Sequence, residues 1–316
     1  MAINDPRMWS KAIQQLAPGE DHVSLIKRIE RLRRGIPAED EFSVIAWWLG
    51  RCRLVHKLDQ FQTPPKSQAF YRIPDLMAVF EYRRREVPVL IEVKSNKSKT
   101  LSWKPDYYAA LLHYAEVLNL PLLIAWKHNT FWVLFESKHL KLAKTNFNIN
   151  FPTAMKHNLM SELAGDFSFS LESGSALNLR IERLTDEDAE RGFDAIIRDV
   201  YYTRSDGKRV ETGPGMLPLF LCLPNEATLH EEEKILIQSF TAENSDHAEF
   251  AHRAIVSLLR LFRDTKQFEW HRIIEEQILS PLADKLPIAA NHAQSCGLLK
   301  HLWHFHPATV PDFLAR

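Results

Sequence analysis

The sequence predicts an α/β fold, in which a mixed sheet flanked by helices is followed by a mostly helical C-terminal domain. The first observation is a pair of apolar runs joined by the basic turn Arg83-Arg84-Arg85, which is typical of a β-hairpin. The second is a helical stripe followed by two more apolar runs. The third is a C-terminal stretch that carries apolar residues mainly at helical spacing.

The first element predicted with a defined start is a helix from Pro37, since proline suits the first helical position. Its apolar stripe, Phe42-Ile45-Ala46-Leu49, favours a helix that continues to about Leu58. The hairpin follows, with residues 76–80 and 87–91 as its two strands.

A polar loop at residues 95–100 leads into a predicted helix from Pro105 to Leu118, which Pro121 ends. Residues 122–126 form a continuous apolar run that suits a buried strand, and residues 131–135 form another strand. The predicted order is therefore helix, hairpin, helix, strand and strand.

The C-terminal half contains two short alternating runs, 167–171 and 177–181, and the polar residues between them predict a hairpin. From Glu226 onward the pattern predicts mostly helix. The predicted helices are 248–262, 268–279 and 294–304.

A chain of 316 residues predicts two domains, which we place at residues 1–145, with N-terminal helices before the hairpin, and at residues 146–316. Three widely spaced cysteines argue against a disulfide framework or a zinc site, and they fit a reducing compartment. The sequence has no signal-peptide pattern and no apolar segment of membrane-spanning length. We therefore expect a cytoplasmic protein without a membrane partner.

The formal net charge is zero, but the charges are unevenly distributed. Residues 1–145 carry 23 lysines and arginines against 15 aspartates and glutamates, whereas residues 146–316 carry 17 against 25. Since phosphate neutralisation provides much of the affinity for nucleic acid, the basic half is the expected binding surface. The predicted nucleic-acid-binding residues are Arg83, Arg84, Arg85, Lys97, Lys99 and Lys104, and a further basic cluster occupies residues 27–34.

The most informative motif is Pro74-Asp75, followed seventeen positions after the aspartate by Glu92-Val93-Lys94. Adjacent strands would bring two acids and a lysine to one patch, which is suited to binding a divalent cation and to metal-assisted phosphodiester hydrolysis. Alternatively, Asp75 caps a turn, and Glu92 and Lys94 form an exposed pair on an edge strand. However, Glu92 interrupts an apolar run that is expected to be buried, and a buried carboxylate needs a partner.

In these residues and in the strand order around them, the chain resembles the PD-(D/E)XK nuclease superfamily, which includes type II restriction endonucleases and archaeal Holliday junction resolvases. The resemblance covers about residues 38–140, and we recognise no family for residues 146–316. It implies a restriction-endonuclease-like sheet, with Mg²⁺ (or Mn²⁺) held by Asp75, Glu92 and the carbonyl of Val93, and with Lys94 acting on the attacking water or on the transition-state charge.

The same resemblance implies a further catalytic glutamate on the first helix, for which Glu41 is the best candidate and Glu20 the second. The alternative for Glu41 is structural, because Glu39, Asp40 and Glu41 occupy a first helical turn, where carboxylates favourably oppose the helix dipole.

The function that the sequence predicts is that of a metal-dependent endonuclease that hydrolyses phosphodiester bonds in DNA during restriction, phage defence or recombination. The expected partners are double-stranded DNA and, by analogy, a second copy of the chain. The acidic C-terminal domain would supply dimerisation, a protein partner or target selection. The alternatives are an RNA-directed nuclease on the same scaffold, and a non-catalytic nuclease-like subunit that binds nucleic acid or assembles with other proteins.

Overall fold

The computed structural model describes residues 38–59, 64, 66–67, 70–184, 195–210, 216–222, 225–232, 235–261 and 285–315. Four of the expectations above lie outside these residues. They are the second glutamate candidate Glu20, the basic cluster at 27–34, the other elements before residue 38, and the predicted helix at 268–279.

A five-stranded mixed sheet carries the predicted motif. Its strands are β1 (Cys52–Lys57), β2 (Leu76–Tyr82), β3 (Arg85–Asn96), β5 (Leu122–His128) and β6 (Phe131–Glu136), in the order β1-β2-β3-β5-β6. Strands β2 and β3 form the antiparallel hairpin, and β3 pairs in parallel with β5. The helix α2 (Pro105–Leu118) makes the crossover that parallel pairing requires. The predicted hairpin, helix and two strands are therefore confirmed.

The two faces of this sheet are covered by different apolar clusters, because successive strand side chains point to opposite sides. On one face, Leu90 and Ile124 pack with Leu111 of α2. On the other face, Ile91 and Val93 pack with the helix α1 (residues 38–48) and with residues from the C-terminal half. Both faces are buried, which is the condition under which a parallel pair is usually found.

The helix α1 is buried on nearly every side, and Phe42, Ile45 and Trp48 have no exposed surface. The predicted continuation of this helix to Leu58 is wrong, because the chain turns at residues 49–50 and then forms strand β1. Gly50 has a φ of +90°, a conformation that side-chain-bearing residues rarely adopt, and it allows this turn. Pairing of β1 with β2 then outweighs the helical pattern of residues 52–57.

A second, three-stranded sheet lies beside α2 and consists of β4 (Thr100–Trp103), β8 (Asn146–Asn150) and β7 (Lys141–Ala143) in the order β4-β8-β7. Strand β3 extends to Asn96 and β4 begins at Thr100, so both strands reach into the segment 95–100 that the sequence predicts to be a loop. A short helix, α3 (Phe151–Lys156), follows β8 with Asn150 as its N-cap. The predicted domain division between residues 145 and 146 thus falls between two strands of one sheet.

The described C-terminal residues contain much more strand than expected, so the prediction of a mostly helical C-terminal domain is wrong. A five-stranded antiparallel sheet consists of β10 (Ala176–Arg183), β11 (Ala195–Thr203), β12 (Arg209–Val210), β13 (Asn225–Glu232) and β14 (Ile235–Ala242). Its order is β12-β11-β10-β14-β13. Strand β14 pairs with β10, and Leu177 opposes Phe240 in this pairing. A local sequence pattern does not reveal a pairing partner that is so distant in the chain.

A fourth sheet joins β9 (Ser168–Leu171) with β15 (Glu249–Phe250) and β16 (Leu299–Trp303). The alternating runs near residues 167–181 are indeed strands, but the hairpin predicted from them is wrong, because β9 and β10 pair into different sheets. The helix predicted at 294–304 is also wrong beyond Ser295, since residues 299–303 form strand β16. The described helices after β9 are α4 (Leu217–Leu221), α5 (Ala251–Leu261), α6 (Leu286–Ser295) and α7 (Asp312–Ala315).

The larger apolar cluster contains residues from both halves of the chain. Its members include Phe42 of α1, Val93 of β3, Ile255 of α5 and Leu314 of α7. Within the described residues, no helix is long and apolar enough to cross a membrane.

Candidate active site

The register of the β2–β3 hairpin brings the two predicted acids together. Leu76 opposes Ile91, so one further step along the ladder places Asp75 opposite Glu92. The backbone amide of Val93 donates a hydrogen bond of 2.7 Å to Oδ2 of Asp75. This bond fixes the Asp75 carboxylate beside β3, since an ionised acceptor roughly doubles the strength of a hydrogen bond.

The hairpin turn sets this register with two arginines. Arg83 and Arg84 have φ angles of +48° and +66°, which is the left-handed region that a tight two-residue hairpin turn requires. Asparagine and glycine are the usual residues at such positions, and a non-glycine residue there costs about 1 kcal/mol.

The Glu92 carboxylate is almost completely buried, with 1% of the residue exposed. Its Oε1 atom accepts hydrogen bonds from the Lys94 ammonium and from the Tyr107 hydroxyl. Its Oε2 atom is buried and has no hydrogen-bond partner among the described residues. A buried carboxylate oxygen without a partner is costly, and such an atom is suited to binding a cation.

The Lys94 side chain connects the two acids. Its Nζ atom contacts Glu92, lies 4.0 Å from Oδ2 of Asp75 and donates to the carbonyl of Val93 at 3.1 Å. The same ammonium lies 5.5 Å from the ring centre of Tyr107 and 5.8 Å from that of Trp103, within the range of a cation–π interaction. The structure therefore brings together the predicted Asp75, Glu92, Val93 and Lys94.

The electrostatics of the site follow from burial and mutual proximity. Burial raises the pKa of Glu92, and the negative charge of Asp75 raises it further, against the opposing effect of Lys94. Burial by itself would lower the pKa of Lys94, but Glu92, Tyr107 and Asp75 together raise it well above its ordinary value. Burial also raises the pKa of Tyr107, with a contribution from Glu92. Tyr107 is accordingly a neutral hydroxyl donor, and Lys94 is a cation.

The donor set fits a hard divalent cation. Asp75 and Glu92 provide carboxylate oxygens and Val93 provides a backbone carbonyl, which are the ligand types that Mg²⁺ prefers. The Oε2 atom of Glu92, which has no hydrogen-bond partner among the described residues, would be satisfied by coordinating such an ion. Across the described part of the chain, no group of three or more His, Cys, Asp or Glu side chains is clustered as a metal site. A cation held here would therefore need water or substrate oxygens to complete its coordination.

Glu41 lies on the other face of the sheet. Its carboxylate accepts 2.6 and 2.5 Å hydrogen bonds from Nζ of Lys127 and a 3.0 Å bond from Nε1 of Trp132. Lys127 alternates along β5 with Ile124 and Trp126, which pack on the α2 face, so Lys127 points to the α1 face. Glu92 shares the α2 face with Leu90. The contacts of Glu41 are those of a structural ion pair, and its role as a metal ligand stays a prediction.

All six of the predicted nucleic-acid-binding residues are exposed, namely Arg83, Arg84, Arg85, Lys97, Lys99 and Lys104. Arg85 differs in that it also donates a 2.9 Å hydrogen bond to the carbonyl of Leu314 in α7, so this arginine ties the hairpin to the C-terminal region. Lys104 also precedes the first turn of α2 as its N-cap residue.

Two residues of the site, Tyr107 and Arg72, were not predicted from the sequence. The Tyr107 hydroxyl donates to Glu92, and the guanidinium carbon of Arg72 lies 4.4 Å from the centre of the Tyr107 ring. The neighbouring aromatics Trp103 and Tyr108 are instead buried in the core. The helical phase of α2 could have indicated that Tyr107 faces β3, but no sequence signal identifies Arg72.

Residues 64–166 match the family model described as archaeal Holliday junction resolvase (Hjc).

We call residues 64–166 the resolvase-like region. It contains the whole motif from Asp75 to Lys94, so the predicted resemblance to the PD-(D/E)XK nuclease superfamily is confirmed, over this range instead of residues 38–140. The region ends at Asp166, and the chain beyond it has no recognised family. No protein with a curated description matches the sequence.

A similar solved structure is that of Hjc from Archaeoglobus fulgidus, a Holliday junction resolvase from an archaeal hyperthermophile. The two sequences are 21% identical over the matched part, and the TM-score is 0.32. The match covers 38% of this chain and 91% of the Archaeoglobus fulgidus chain.

Proposed function

We propose that the protein is a metal-dependent endonuclease that hydrolyses phosphodiester bonds in DNA. The observation that carries this proposal is the buried pair of carboxylates, Asp75 and Glu92, with Oε2 of Glu92 unpartnered and Lys94 between them. The family match of the resolvase-like region supports a DNA substrate. By the same analogy we expect a homodimer, and restriction, phage defence and recombination are the expected settings.

In this proposal, Asp75, Glu92 and the carbonyl of Val93 hold Mg²⁺ or Mn²⁺. A divalent cation there supplies Lewis-acid polarisation of the phosphoryl oxygen. Lys94 orients the attacking water and neutralises negative charge that develops on the phosphate. Tyr107 holds the Glu92 carboxylate in place through its hydroxyl hydrogen bond. The low exposure of Glu92 strengthens each of these interactions, because water screens them poorly inside the protein.

The exposed basic residues support a nucleic-acid substrate. Arg83, Arg84 and Arg85 lie between Asp75 and Glu92, and Lys97, Lys99 and Lys104 follow β3. All six are exposed. Phosphate contacts of this kind hold a nucleic acid in position without reading its sequence.

The test is a cleavage assay with plasmid, linear duplex DNA, branched DNA and RNA, in Mg²⁺, in Mn²⁺ and in chelator. We expect the wild-type protein to cut DNA only with a divalent cation. Lys94→Ala should lower the cleavage rate by at least about 100-fold, since it removes a group that acts at the reacting phosphate. The matched control is Lys208→Ala, which removes a lysine whose side chain is 76% exposed in the C-terminal half.

Full cleavage by Lys94→Ala with saturating metal would contradict the proposal. Binding of DNA without cleavage in either metal would support a non-catalytic nucleic-acid-binding protein. Preferential cleavage of RNA would support the alternative of an RNA-directed nuclease that uses the same site.

A further inference from the structure

The segment that leads into Asp75 exposes two adjacent aromatic side chains. Phe70 is 63% exposed and Tyr71 is 36% exposed. A contiguous exposed apolar patch rimmed by polar residues marks an interaction site more often than a single exposed side chain does. Both precede the metal-binding motif by only a few residues.

These two aromatics differ from the other exposed aromatic side chains in the described residues. Trp303 stacks on His301, and Phe305 packs on Phe250. Neither Phe70 nor Tyr71 makes a ring contact with another described residue. Among the described residues, the exposed part of each ring is therefore not engaged by a second ring, and it can contact a ligand.

The backbone beneath these aromatics is held in place. The amides of Phe70 and Tyr71 both donate 3.0 Å hydrogen bonds to the carbonyl of Ser67. The carbonyl of Phe70 accepts a 3.3 Å bond from Nδ1 of His113, and the amide of Arg72 donates a 3.0 Å bond to the carbonyl of Ala110. His113 and Ala110 belong to α2, so the helix that supports the active site also anchors this segment. The aromatics are thus presented on a fixed backbone.

Arg72 connects the exposed aromatics to the catalytic carboxylates. Its guanidinium packs on the Tyr107 ring, and the Tyr107 hydroxyl donates to Glu92. Arg72 is itself exposed, so the positive charge beside the two aromatics remains accessible to an anion. An exposed pair of aromatics next to an arginine is the combination that binds unpaired nucleotides, because the rings stack on bases and the guanidinium binds phosphate.

The short stretch of chain between Tyr71 and Asp75 limits how far apart the aromatics and the carboxylates can lie. An extended chain advances at most about 3.5 Å per residue, so Tyr71 lies within about 14 Å of Asp75. Successive bases of one strand in duplex DNA are about 3.4 Å apart, so the separation corresponds to at most about four nucleotides.

We propose that Phe70 and Tyr71 form a stacking platform for unpaired DNA bases next to the scissile phosphate. This inference rests on the proposed nuclease function, and it adds a substrate class, namely DNA with single-stranded nucleotides close to the cleavage position. Bases inside a regular duplex are already stacked on their neighbours, so the platform discriminates against fully paired DNA. Arg72 contributes the adjacent phosphate contact.

The experiment measures binding in chelator, where no cleavage occurs, with a fluorescein-labelled single-stranded 20-mer and with the same strand in a blunt duplex. The variants are Phe70→Ala/Tyr71→Ala and the ring-preserving pair Phe70→Tyr/Tyr71→Phe. The matched control is Val117→Ala/Leu118→Ala, which removes side chains that are 67% and 45% exposed at the end of α2.

We expect the double alanine variant to weaken single-strand binding by about tenfold or more, because stacking on one base contributes about 1–3 kcal/mol. Duplex affinity should change less than about twofold, and the ring-preserving pair and the control should match wild type. A 2-aminopurine base in the single strand should be quenched by wild type and not by the alanine variant.

Equal losses on single strand and duplex, no loss on single strand, or no single-strand binding by wild type would each overturn the stacking platform. So would a change in the oligomeric state of the alanine variant, measured by sedimentation without DNA, because it would assign the aromatics to a contact between copies of the chain. The cleavage assay of wild type in Mg²⁺ and Mn²⁺ is independent. If wild type does not cleave DNA but the alanine variant loses single-strand binding, the nuclease function is rejected and the stacking platform stands. If wild type cleaves DNA but the alanine variant binds single strand normally, the platform is rejected and the nuclease function stands.

Discussion

At the scale of single residues, the site depends on how Glu92 is satisfied inside the protein. One of its oxygens accepts two hydrogen bonds, and the other has no described partner. That Asp75, Glu92 and Lys94 lie close together was predictable from their spacing, because strand alternation fixes which side chains share a face. The role of Tyr107 was not predictable, because it depends on the angle at which α2 packs on the sheet.

Tyr107→Phe tests whether this hydroxyl positions Glu92. The change removes a hydrogen bond to a carboxylate, which contributes about 1.5–3 kcal/mol. We expect cleavage to fall by about tenfold or more and the Mg²⁺ concentration for half-maximal cleavage to rise, because Glu92 is held less firmly. The readout is a metal titration of the cleavage rate.

The control for this change is Tyr108→Phe. The Tyr108 hydroxyl donates a 2.8 Å bond to the carbonyl of Ser137, away from the carboxylates. This variant should lose stability without shifting the metal titration. If both variants shift the titration equally, the effect of Tyr107 is a general loss of packing.

At the scale of elements, local pattern was enough for the hairpin, for α2 and for strands β5 and β6. Each of these has a complete period within a short stretch of sequence and a clear end signal, such as Pro121 after α2. Strands β1 and β13 were missed, because their conformation depends on pairing with β2 and with β14. When a local sequence is compatible with both helix and strand, its conformation depends on the strand with which it pairs. That pairing partner is distant in sequence and cannot be read from the local pattern.

The junction between α1 and the turn of π-helix at Met160–Ala164 gives a sharp stability prediction. Gly165 has a φ of +94°, and a Cβ added there would lie 2.8 Å from the carbonyl oxygen of Leu49. Gly165→Ala should therefore destabilise the protein by about 2–4 kcal/mol, from the left-handed conformation and the steric clash together. Urea unfolding followed by circular dichroism measures the change.

Gly207→Ala is the matched control for Gly165→Ala. Gly207 has a similar φ of +77°, and nothing lies within 4 Å of an added Cβ. Gly207→Ala should therefore lower the free energy of unfolding only by the cost of the left-handed backbone conformation, about 1–2 kcal/mol. Equal losses in the two variants would show that the contact with Leu49 contributes nothing.

At the scale of the whole molecule, the C-terminal half completes the core around the sheet that carries Asp75 and Glu92. His252 of α5 is buried, accepts a 3.3 Å hydrogen bond at Nε2 from the Trp132 amide of β6, and contacts Oδ2 of Asp166 through Nδ1 at 2.7 Å. The His252 amide also donates to Oδ1 of Asp166 at 3.1 Å. These bonds tie α5 to the edge of the sheet that carries Glu92.

A double-mutant cycle on Asp166 and His252 measures this connection. Asp166→Ala and His252→Ala should each cost about 3 kcal/mol, because each leaves a buried polar partner unsatisfied. The double variant should cost less than the sum by about 0.5–3 kcal/mol, since the second change then removes a partner already lost. The unfolding free energies of the four proteins give the answer, and strict additivity would mean that the two residues act independently.

The hydrogen bond from Arg85 to Leu314 joins residues that are 229 positions apart in the chain. During synthesis, the hairpin leaves the ribosome long before α5 and α7 exist to cover its apolar side. Closing so long a loop is entropically slow, and sheet surface that waits uncovered invites aggregation. We therefore expect refolding from urea to populate an intermediate that binds a hydrophobic dye and disappears only when the C-terminal elements dock; single-exponential refolding without dye binding would count against it. In that case, the proposed metal site would be completed only after α5 and α7 have docked.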